Sequence, residues 1–444
     1  MDQTYMKTKN ILPLLTSMAL PMMLSMLVNS MYNIIDSLFV AKISEKSMTA
    51  LSLVYPMQNL ILAVLVGFGI GINCAVAYQL GAKNQKKADT SAAIGMILNL
   101  LHGVLLMAAG LIFMPDFLRL FTEDALVLDM GIQYSNIVLL FTIPNSIAIS
   151  YEKIFQSVGR MTVSMISMMV GCITNIILDP ILIFGVGIFP EMGMRGAALA
   201  TGIGQSVTLL FYLAFYLKTP ISVKLRLDRH TLNKAMIGNL YGVGIPATLN
   251  MALPSLLISV LNSILSTFSA VYVLVLGVYY KLQTFIYLSA NGIVQGMRPI
   301  VGYNFGAGEY QRVKKINQTG LLLILCIMLL GMILCLAVPS ELMGLFTKND
   351  QTIAIGVQAI RIISLGFLAS GVSVTISGTL EGLGMGFPSL MISLCRYTIF
   401  IIPMAFLLSR QMGAYGVWYA FFISECMTML VSWIIYRKIS RNKL

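Results

Sequence analysis

Residues 235–280 read AMIGNLYGVGIPATLNMALPSLLISVLNSILSTFSAVYVLVLGVYY, a stretch that contains no charged residue and is bounded by Lys234 and Lys281. A transmembrane helix needs about 20 consecutive apolar residues, so this stretch is long enough for two spans. Gaps between charges that are long enough for one span recur at 129–152, 195–218 and 315–341. Counting along the whole chain in this way predicts twelve spans, and their long continuous apolar runs favour helices.

The composition excludes a soluble or disordered protein. Of the 444 residues, 58% are apolar and only 10% are charged, whereas soluble domains have about 25% charged residues. The net charge of +12 raises the question of a nucleic-acid partner, but the positions of the basic residues argue against one. They are concentrated in the amino terminus, the even-numbered loops and the carboxyl terminus. This is the positive-inside pattern, which predicts a multi-pass protein of the cytoplasmic (inner) membrane with both termini in the cytoplasm.

An internal repeat organises the spans into two halves. Pro21 aligns with Pro246, and at the same offset Leu-Gly-Ala at 80–82 aligns with Phe-Gly-Ala at 305–307. Each half holds six spans, an even number, so both halves enter the membrane in the same orientation. We therefore expect two six-helix lobes related by a pseudo-two-fold axis along the membrane normal, as in parallel-repeat transporters. The expected boundaries are 1–217 for the first lobe, 218–234 for a basic cytoplasmic linker and 235–444 for the second lobe.

The first span carries a polar stripe on an otherwise apolar helix. Asp36 shares one helical face with Asn33, Tyr32 and Asn29. An ionisable group in hydrocarbon costs several kcal/mol, so its presence calls for a functional reason.

A second acidic residue lies in the fifth span, where Asn175 precedes Asp179 by one helical turn. Thr201 follows near the start of the sixth span, and the spacing from loop charges places these groups and Asp36 at a similar depth. Two carboxylates, an amide and a hydroxyl offer oxygen ligands to a hard cation such as Na⁺. Equally, burial and mutual repulsion would let the two carboxyl groups share a proton. The alternative is that these groups only cap or cross-link helices.

The repeat distinguishes function from fold at these positions. At the offset that pairs Pro21 with Pro246, Asp36 aligns with Leu261. Farther along, the offset is slightly shorter, so that the segment 193–200 aligns with 413–420 and Thr201 with Phe421. If the fold required the carboxylates, the second copy would be expected to keep some of them.

For the charged residues within the spans of the second half, a structural role and a functional role are both possible. Lys281 lies in the middle of the eighth span, where a cavity-lining role and a packing role both fit. Arg396 and Glu425 lie at similar depth, where a structural ion pair and a substrate contact both fit.

At these residues the chain resembles the multidrug and toxic compound extrusion (MATE) family. The resemblance covers nearly the whole chain, and the motifs that carry it are Asn-x-x-Asp-x-x-Phe-Val at 33–40, Asn-x-x-x-Asp-Pro at 175–180, Gly-Ala-Ala-x-Ala-Thr at 196–201 and Tyr-Asn-Phe-Gly-Ala at 303–307. It implies that Asp36, Asn175, Asp179 and Thr201 form the cation or proton site.

The resemblance also implies roles for neighbouring residues. Tyr32, Asn29 and Tyr134 would line the adjoining cavity, and the first helix would bend at Pro21 when Asp36 changes protonation. One branch of the family carries acids in spans seven and ten. We interpret those spans as free of acids here, so we do not expect that branch's second cation site.

The sequence therefore predicts a secondary active antiporter that exports amphipathic, often cationic compounds in exchange for H⁺ or Na⁺. No GxxxxGK[ST] phosphate loop is present, so we expect no ATP hydrolysis, and no motif indicates an enzyme, a bound cofactor or a nucleic-acid partner. We expect a monomer that contacts only small molecules and the lipid bilayer. One alternative is a flippase for lipids or lipid-linked oligosaccharides; another, of a different class, is a receptor or scaffold that transports nothing.

Overall fold

The computed structural model describes residues 3–228, 231 and 233–444. Within these residues the regular secondary structure is entirely helical. Ten helices are long and apolar enough to cross a membrane, and two further pairs of helices qualify together, each bent at a short break. Counting each bent pair as one span gives the twelve spans that the sequence predicts, so the prediction of an all-helical polytopic membrane protein is confirmed.

The spans have the following bounds. Spans 1 to 6 are Ile11–Ile43, Glu45–Gly81, Gln85–Arg119, Ala125–Leu140 with Thr142–Ser157, Met161–Phe184 and Met194–Lys218. Spans 7 to 12 are Lys234–Ser266, Ala270–Gly306, Tyr310–Ala337, Asp350–Ser364 with Phe367–Gly382, Gly386–Met412 and Tyr415–Lys443. Helices suit these sequences because all interior backbone groups of a helix are hydrogen-bonded within the segment, as hydrocarbon requires.

The internal repeat is visible in the lengths and bends of the spans. Spans 1 and 7 each contain 33 residues, and spans 2 and 8 each contain 37. Span 4 bends by 47° at its break and span 10 by 50°. The two breaks occupy equivalent positions, because Phe141 aligns with Gly366 at the offset that pairs Pro21 with Pro246. The bend therefore belongs to the repeated sequence element.

Two compact units divide the described chain. The first contains Leu24–Gly244 and the second contains Thr4–Met23 with Ile245–Leu444. In the first unit, spans 5 and 6 pack along each other, as do spans 2 and 3. In the second unit, the corresponding close pairs are spans 11 and 12 and spans 8 and 9. The division falls inside spans 1 and 7, and the boundaries at 217 and 235 stay a prediction.

In the segment predicted as a linker, 218–234, the described residues between the end of span 6 and the start of span 7 form no helix. Its residues 229, 230 and 232 lie outside the described part of the chain. The Lys224 N–H donates to Asp89 Oδ1 at 2.9 Å, and the Leu225 N–H donates to the Tyr216 hydroxyl at 2.9 Å. These contacts hold the segment against the first unit.

The amino-terminal segment is docked on the second unit. Met6, in the short helix Tyr5–Thr8, is fully buried. Asn304 Nδ2 donates to the Met6 carbonyl at 3.1 Å, and Arg312 donates to the carbonyls of Met6 and Lys9. The guanidinium group thereby satisfies backbone acceptors that a four-residue helix leaves open.

The loop before span 4 illustrates how helix ends are fixed. Asp124 accepts hydrogen bonds from the backbone N–H groups of Leu126 at 2.9 Å and Val127 at 3.3 Å. Its carboxylate also lies 2.8 Å from Lys46 Nζ, at the start of span 2. Asp124 is therefore both the helix cap and a cross-link between two spans.

Candidate functional site

The structure brings together the four residues predicted to form a cation or proton site. Asp36 comes from span 1, Asn175 and Asp179 from span 5, and Thr201 from span 6, all within the first unit. Asn175 Nδ2 lies 3.4 Å from Asp179 Oδ1 and 3.4 Å from Thr201 Oγ1. The carboxyl groups of Asp36 and Asp179 interact directly. All four residues are buried, and Asp179 has no exposed surface.

Close packing of spans 5 and 6 sets the distance between Asn175 and Thr201. A Cβ atom on Gly196 would lie 2.4 Å from the Leu182 carbonyl oxygen, and one on Gly204 would lie 2.8 Å from the Gly171 carbonyl oxygen. Only glycine permits backbones to approach so closely. The Gly-Ala-Ala-x-Ala-Thr motif therefore works partly through its small residues, which let span 6 present Thr201 to span 5.

The carboxyl-terminal end of span 1 is held in the apolar core of the first unit. Val40, one turn after Asp36, is fully buried in a cluster that includes Leu65 and Ile183. The ring of Phe39 packs edge-on against that of Phe184, with centroids 6.4 Å apart. These contacts fix span 1 against span 5 and so hold Asp36 beside Asp179.

Two tyrosines and a glutamine surround the carboxyl pair. The hydroxyl groups of Tyr32 and Tyr134 both interact with Thr201, and that of Tyr134 also interacts with Gln58. Tyr134 is only 2% exposed, and it is close enough to Asp36 and Asp179 to interact with both. The sequence analysis missed Gln58 as a site residue. The available signal was the pair of adjacent amide side chains Gln58 and Asn59 within a mostly apolar stretch of span 2.

The other candidate residues lie elsewhere. Asn29 and Asn33 are exposed, and Asn33 Nδ2 donates to the Asn29 carbonyl at 2.8 Å instead of joining the four-residue cluster. Lys281 is exposed, with its Nζ 5.7 Å from the centroid of the Phe346 ring in the second unit. Pro21 lies inside the helix Ile11–Ile43, in the part of span 1 that belongs to the second unit.

The chemistry of the cluster suits a shared cation. Two carboxyl groups in direct contact repel each other when both are ionised, so a proton or a cation must be held with them. Asp36 Oδ1, Asn175 Oδ1 and Asp179 Oδ2 are buried without a hydrogen-bond partner among the described residues. With the Thr201 hydroxyl they offer a set of oxygen ligands that a hard monovalent cation could use. The same carboxyl pair can bind one proton.

Two further ion pairs are largely removed from solvent and involve residues outside the predicted site. Lys153 Nζ lies 2.7 Å from Glu152 Oε1 in span 4, and Arg298 Nη2 lies 2.7 Å from Glu381 Oε2. The interpretation of span 10 as free of acids was wrong, because Glu381 is in the helix Phe367–Gly382 and is only 4% exposed. Glu381 is followed by Gly382 and Gly384, a pattern typical of a turn, but the helix continues through Gly382. Glu381 is bonded to Arg298 and to Asn250 Nδ2, the latter at 3.0 Å.

The twofold repeat and the motifs around the cluster agree with the comparison to known families. The family model described as MatE matches twice, over residues 21–181 and 246–407. The chain belongs to the MatE family. The two matches correspond to the two copies of the repeat, so this MATE protein is built from two family domains, each containing one of the two bent spans. It is a multi-pass membrane transporter and not an enzyme.

Curated relatives of this MATE protein are multidrug export proteins. The chain is 25% identical over 418 residues to the multidrug export protein MepA of Staphylococcus aureus strain MSSA476, covering 94% of this chain and 91% of that protein. It is 26% identical over 442 residues to MepA of Staphylococcus haemolyticus, covering 99% and 96%. Both alignments span almost the full length of each protein.

Solved structures show the same fold. A crystal structure of MATE in the bent conformation superposes with a TM-score of 0.93 at 21% identity, covering 99% of this chain and 98% of that one. An outward-facing multidrug resistance MATE family transporter of the MOP superfamily gives 0.92 at 22% identity, with the same coverage. These structures have 12 transmembrane helices in two lobes, which agrees with the twelve spans of this chain.

Proposed function

We propose that this MATE protein is a secondary active antiporter that exports amphipathic, often cationic compounds in exchange for H⁺ or Na⁺. The observation that carries the proposal is the buried contact between the carboxyl groups of Asp36 and Asp179. Asn175 and Thr201 complete the site, and no bound cofactor or ATP takes part. The printed names of the curated relatives support the export of drugs.

The proposed cycle exchanges one positive charge for another at the carboxyl pair. In the outward-facing state a proton or Na⁺ binds between Asp36 and Asp179, and this displaces the substrate. The loaded site is less charged, so its reorientation within hydrocarbon costs less free energy. The cation is then released on the cytoplasmic side. Because the exchange of one monovalent cation for another moves no net charge, the membrane potential does not drive it; the gradient of the coupling ion does, and a tenfold gradient supplies about 1.4 kcal/mol.

The asymmetry of the repeat supports a functional role for the pair. Leu261, which aligns with Asp36, is fully buried, and Phe421, which aligns with Thr201, is 5% exposed. The second unit thus fills the corresponding positions with apolar side chains, while spans 7 and 8 keep the lengths of spans 1 and 2 and span 10 keeps a bend like that of span 4. The carboxylates are therefore not a requirement of the fold. We place both termini in the cytoplasm from the basic loops and propose that a monomer is active.

Efflux from proteoliposomes tests this proposal. A cationic dye such as ethidium would be the substrate, and Na⁺ and pH gradients would be imposed separately, which identifies the coupling ion. Asp36→Asn and Asp179→Asn keep the side-chain size but remove the charge, and each should lower gradient-driven efflux at least tenfold. Asp129→Asn changes an exposed acid of the same unit and should leave efflux within twofold of wild type. Normal efflux by correctly inserted Asp36→Asn protein would remove the assignment.

A further inference from the structure

A second buried polar cluster lies in the second unit and is not used by the proposed cation exchange. Arg396 of span 11 donates through Nε to Glu425 Oε1 of span 12 at 2.8 Å, and its Nη2 lies 2.7 Å from the same oxygen. Arg396 Nη2 also donates to Ser370 Oγ at 2.8 Å and to the Tyr287 hydroxyl at 3.2 Å. The two charged side chains are 9% and 13% exposed, so the pair is almost completely removed from solvent.

Each member of the pair keeps one hydrogen-bonding atom that these bonds do not use. Both hydrogen bonds from the guanidinium group to Glu425 go to Oε1, and Glu425 Oε2 is buried without a partner among the described residues. The bonds of Arg396 run through Nε and Nη2 and leave Nη1 for a further acceptor. The hydroxyl of Tyr280 is likewise buried with no partner in the described part of the chain. A purely structural ion pair would be expected to satisfy Glu425 Oε2, because an unmet buried polar atom is costly.

The local backbone is irregular at the same place. Residues Cys395–Phe400, which include Arg396, form a wide π-helical turn, and such turns occur frequently at functional sites. Glu425 lies on the other side of the cluster, where a Cβ on Gly366 would be 3.4 Å from its Cβ and Cγ. Gly366 is at the break where span 10 bends by 50°. Two irregular helices therefore adjoin the ion pair.

The ion pair is specific to this copy of the repeat. At the offset that pairs Pro21 with Pro246, Arg396 aligns with Gly171, and at the offset that pairs Thr201 with Phe421, Glu425 aligns with Gln205; neither residue is charged. The first unit folds in the same way without a charged pair at these positions. The fold alone thus gives no reason to bury these two charges.

We propose that this cluster is a binding site for the zwitterionic group of an aromatic substrate. The ligand ammonium group would bind Glu425 Oε2 and the ligand carboxylate would bind Arg396 Nη1. The pair carries no net charge, so a ligand with both charges adds no net charge to a buried site, whereas a cation or an anion would. Two aromatic rings adjoin the pair: the Arg396 guanidinium carbon lies 5.6 Å from the centroid of the Tyr287 ring and 5.1 Å from that of Tyr397. The proposal rests on the proposed transport function for its substrates.

Binding of one fluorescent scaffold in three charge states tests the site. Nε-dansyl-L-lysine carries an ammonium and a carboxylate, its methyl ester is a cation, and its Nα-acetyl form is an anion. Their affinities would be measured from dansyl fluorescence with purified protein in detergent, where no gradient or transport is needed. Wild-type protein should bind the zwitterion at least tenfold more tightly than the other two forms. Equal affinity for all three forms would overturn the proposal.

Three variants separate ligand recognition from folding. The double variant Arg396→Gln/Glu425→Gln removes both charges together, so no unpaired charge is left buried, and it should lose the preference for the zwitterion. Glu425→Gln should shift the preference to the anion and Arg396→Gln to the cation. A merely structural pair would not produce these opposite shifts, and unchanged preferences in the double variant would contradict the proposal.

The same measurements on Asp36→Asn keep the two proposals apart. Asp36 belongs to the first unit, so this variant should bind the zwitterion as wild type does even though its efflux is lost. If Asp36→Asn retained full efflux, the proposed coupling site would fail but the charge preference in the second unit would stand. Loss of zwitterion binding in Asp36→Asn would overturn the assignment of this ligand to Arg396 and Glu425.

Discussion

Replacing Gly196 with alanine should damage the first unit at the contact that positions the cation site. The added Cβ would lie 2.4 Å from the Leu182 carbonyl oxygen and 2.8 Å from the Ile183 nitrogen. Both are backbone atoms, which cannot move aside as a side chain can. Restoring an ordinary contact of about 3.4 Å requires spans 5 and 6 to separate by about 1 Å, and overpacking of this kind costs about 1–3 kcal/mol.

The same displacement should weaken the site itself. Asn175 Nδ2 and Thr201 Oγ1 are already 3.4 Å apart, so a further separation of about 1 Å would take them beyond hydrogen-bonding distance. A hydrogen bond lost in this way is worth about 1 kcal/mol, which corresponds to roughly a fivefold loss in cation affinity. The concentration of Na⁺ or H⁺ that gives half-maximal efflux should therefore rise about fivefold.

Thermal unfolding in detergent can be followed with a thiol-reactive dye, because the thiols of Cys74, Cys172 and Cys335 are buried in the folded protein. Gly416→Ala is the matched control in the second unit, since its Cβ would lie 2.2 Å from the Leu408 carbonyl oxygen. It should lower stability by a similar amount and leave cation affinity unchanged. Gly242→Ala, in open space, should be neutral or stabilising. The reasoning fails if Gly196→Ala is as stable as Gly242→Ala, or if Gly416→Ala weakens the cation site equally.

Two further predictions concern charges outside the cation site. Glu381→Ala should destabilise the protein by about 3 kcal/mol, because it removes the ion-pair partner of Arg298, whose side chain is largely buried. The double variant Arg298→Met/Glu381→Met should recover most of the loss in the same unfolding assay. Lys46 and the backbone N–H groups that Asp124 caps hold the pKa of the Asp124 carboxyl below its usual range. The ionised carboxylate therefore stabilises the folded protein at pH values above the unfolded-state pKa of about 3.9. This stabilisation is lost as the pH falls through the lower folded-state pKa. Asp124→Asn should therefore be less stable than wild type at neutral pH, the difference should shrink below about pH 4, and a pH-independent difference would contradict this cause.

The sequence predicted the twelve helical spans and the residues of the carboxyl pair for physical reasons. Long charge-free segments can only be helices in hydrocarbon, and an acid such as Asp36 within one of them is costly enough to stand out. The one-turn spacing of Asn175 and Asp179 placed them on one face of span 5. The structure adds the contact with Asp36, which comes from tertiary packing and is not contained in any local pattern.

The orientation of Asn33 and the burial of Glu381 could not be predicted, because both depend on contacts in the folded protein that local sequence patterns do not contain. Asn33 shares a helical face with Asp36, but its amide is satisfied by the backbone of its own helix. Glu381 looks like a loop residue beside Gly382 and Gly384, and its partners Arg298 and Asn250 on neighbouring helices explain its burial. Helical periodicity gives the face on which a side chain lies, but it does not specify which hydrogen-bond partner that side chain finds.

Docking of the amino-terminal segment has a practical consequence for spectroscopy. Thr8 is exposed, yet its neighbours Met6 and Lys9 are bonded through their carbonyls to Asn304 and Arg312. A spin label or fluorophore attached at position 8 would thus move with the beginning of span 9 and not as a free tail. Such a probe would give narrow distance distributions to labels placed elsewhere in the second unit.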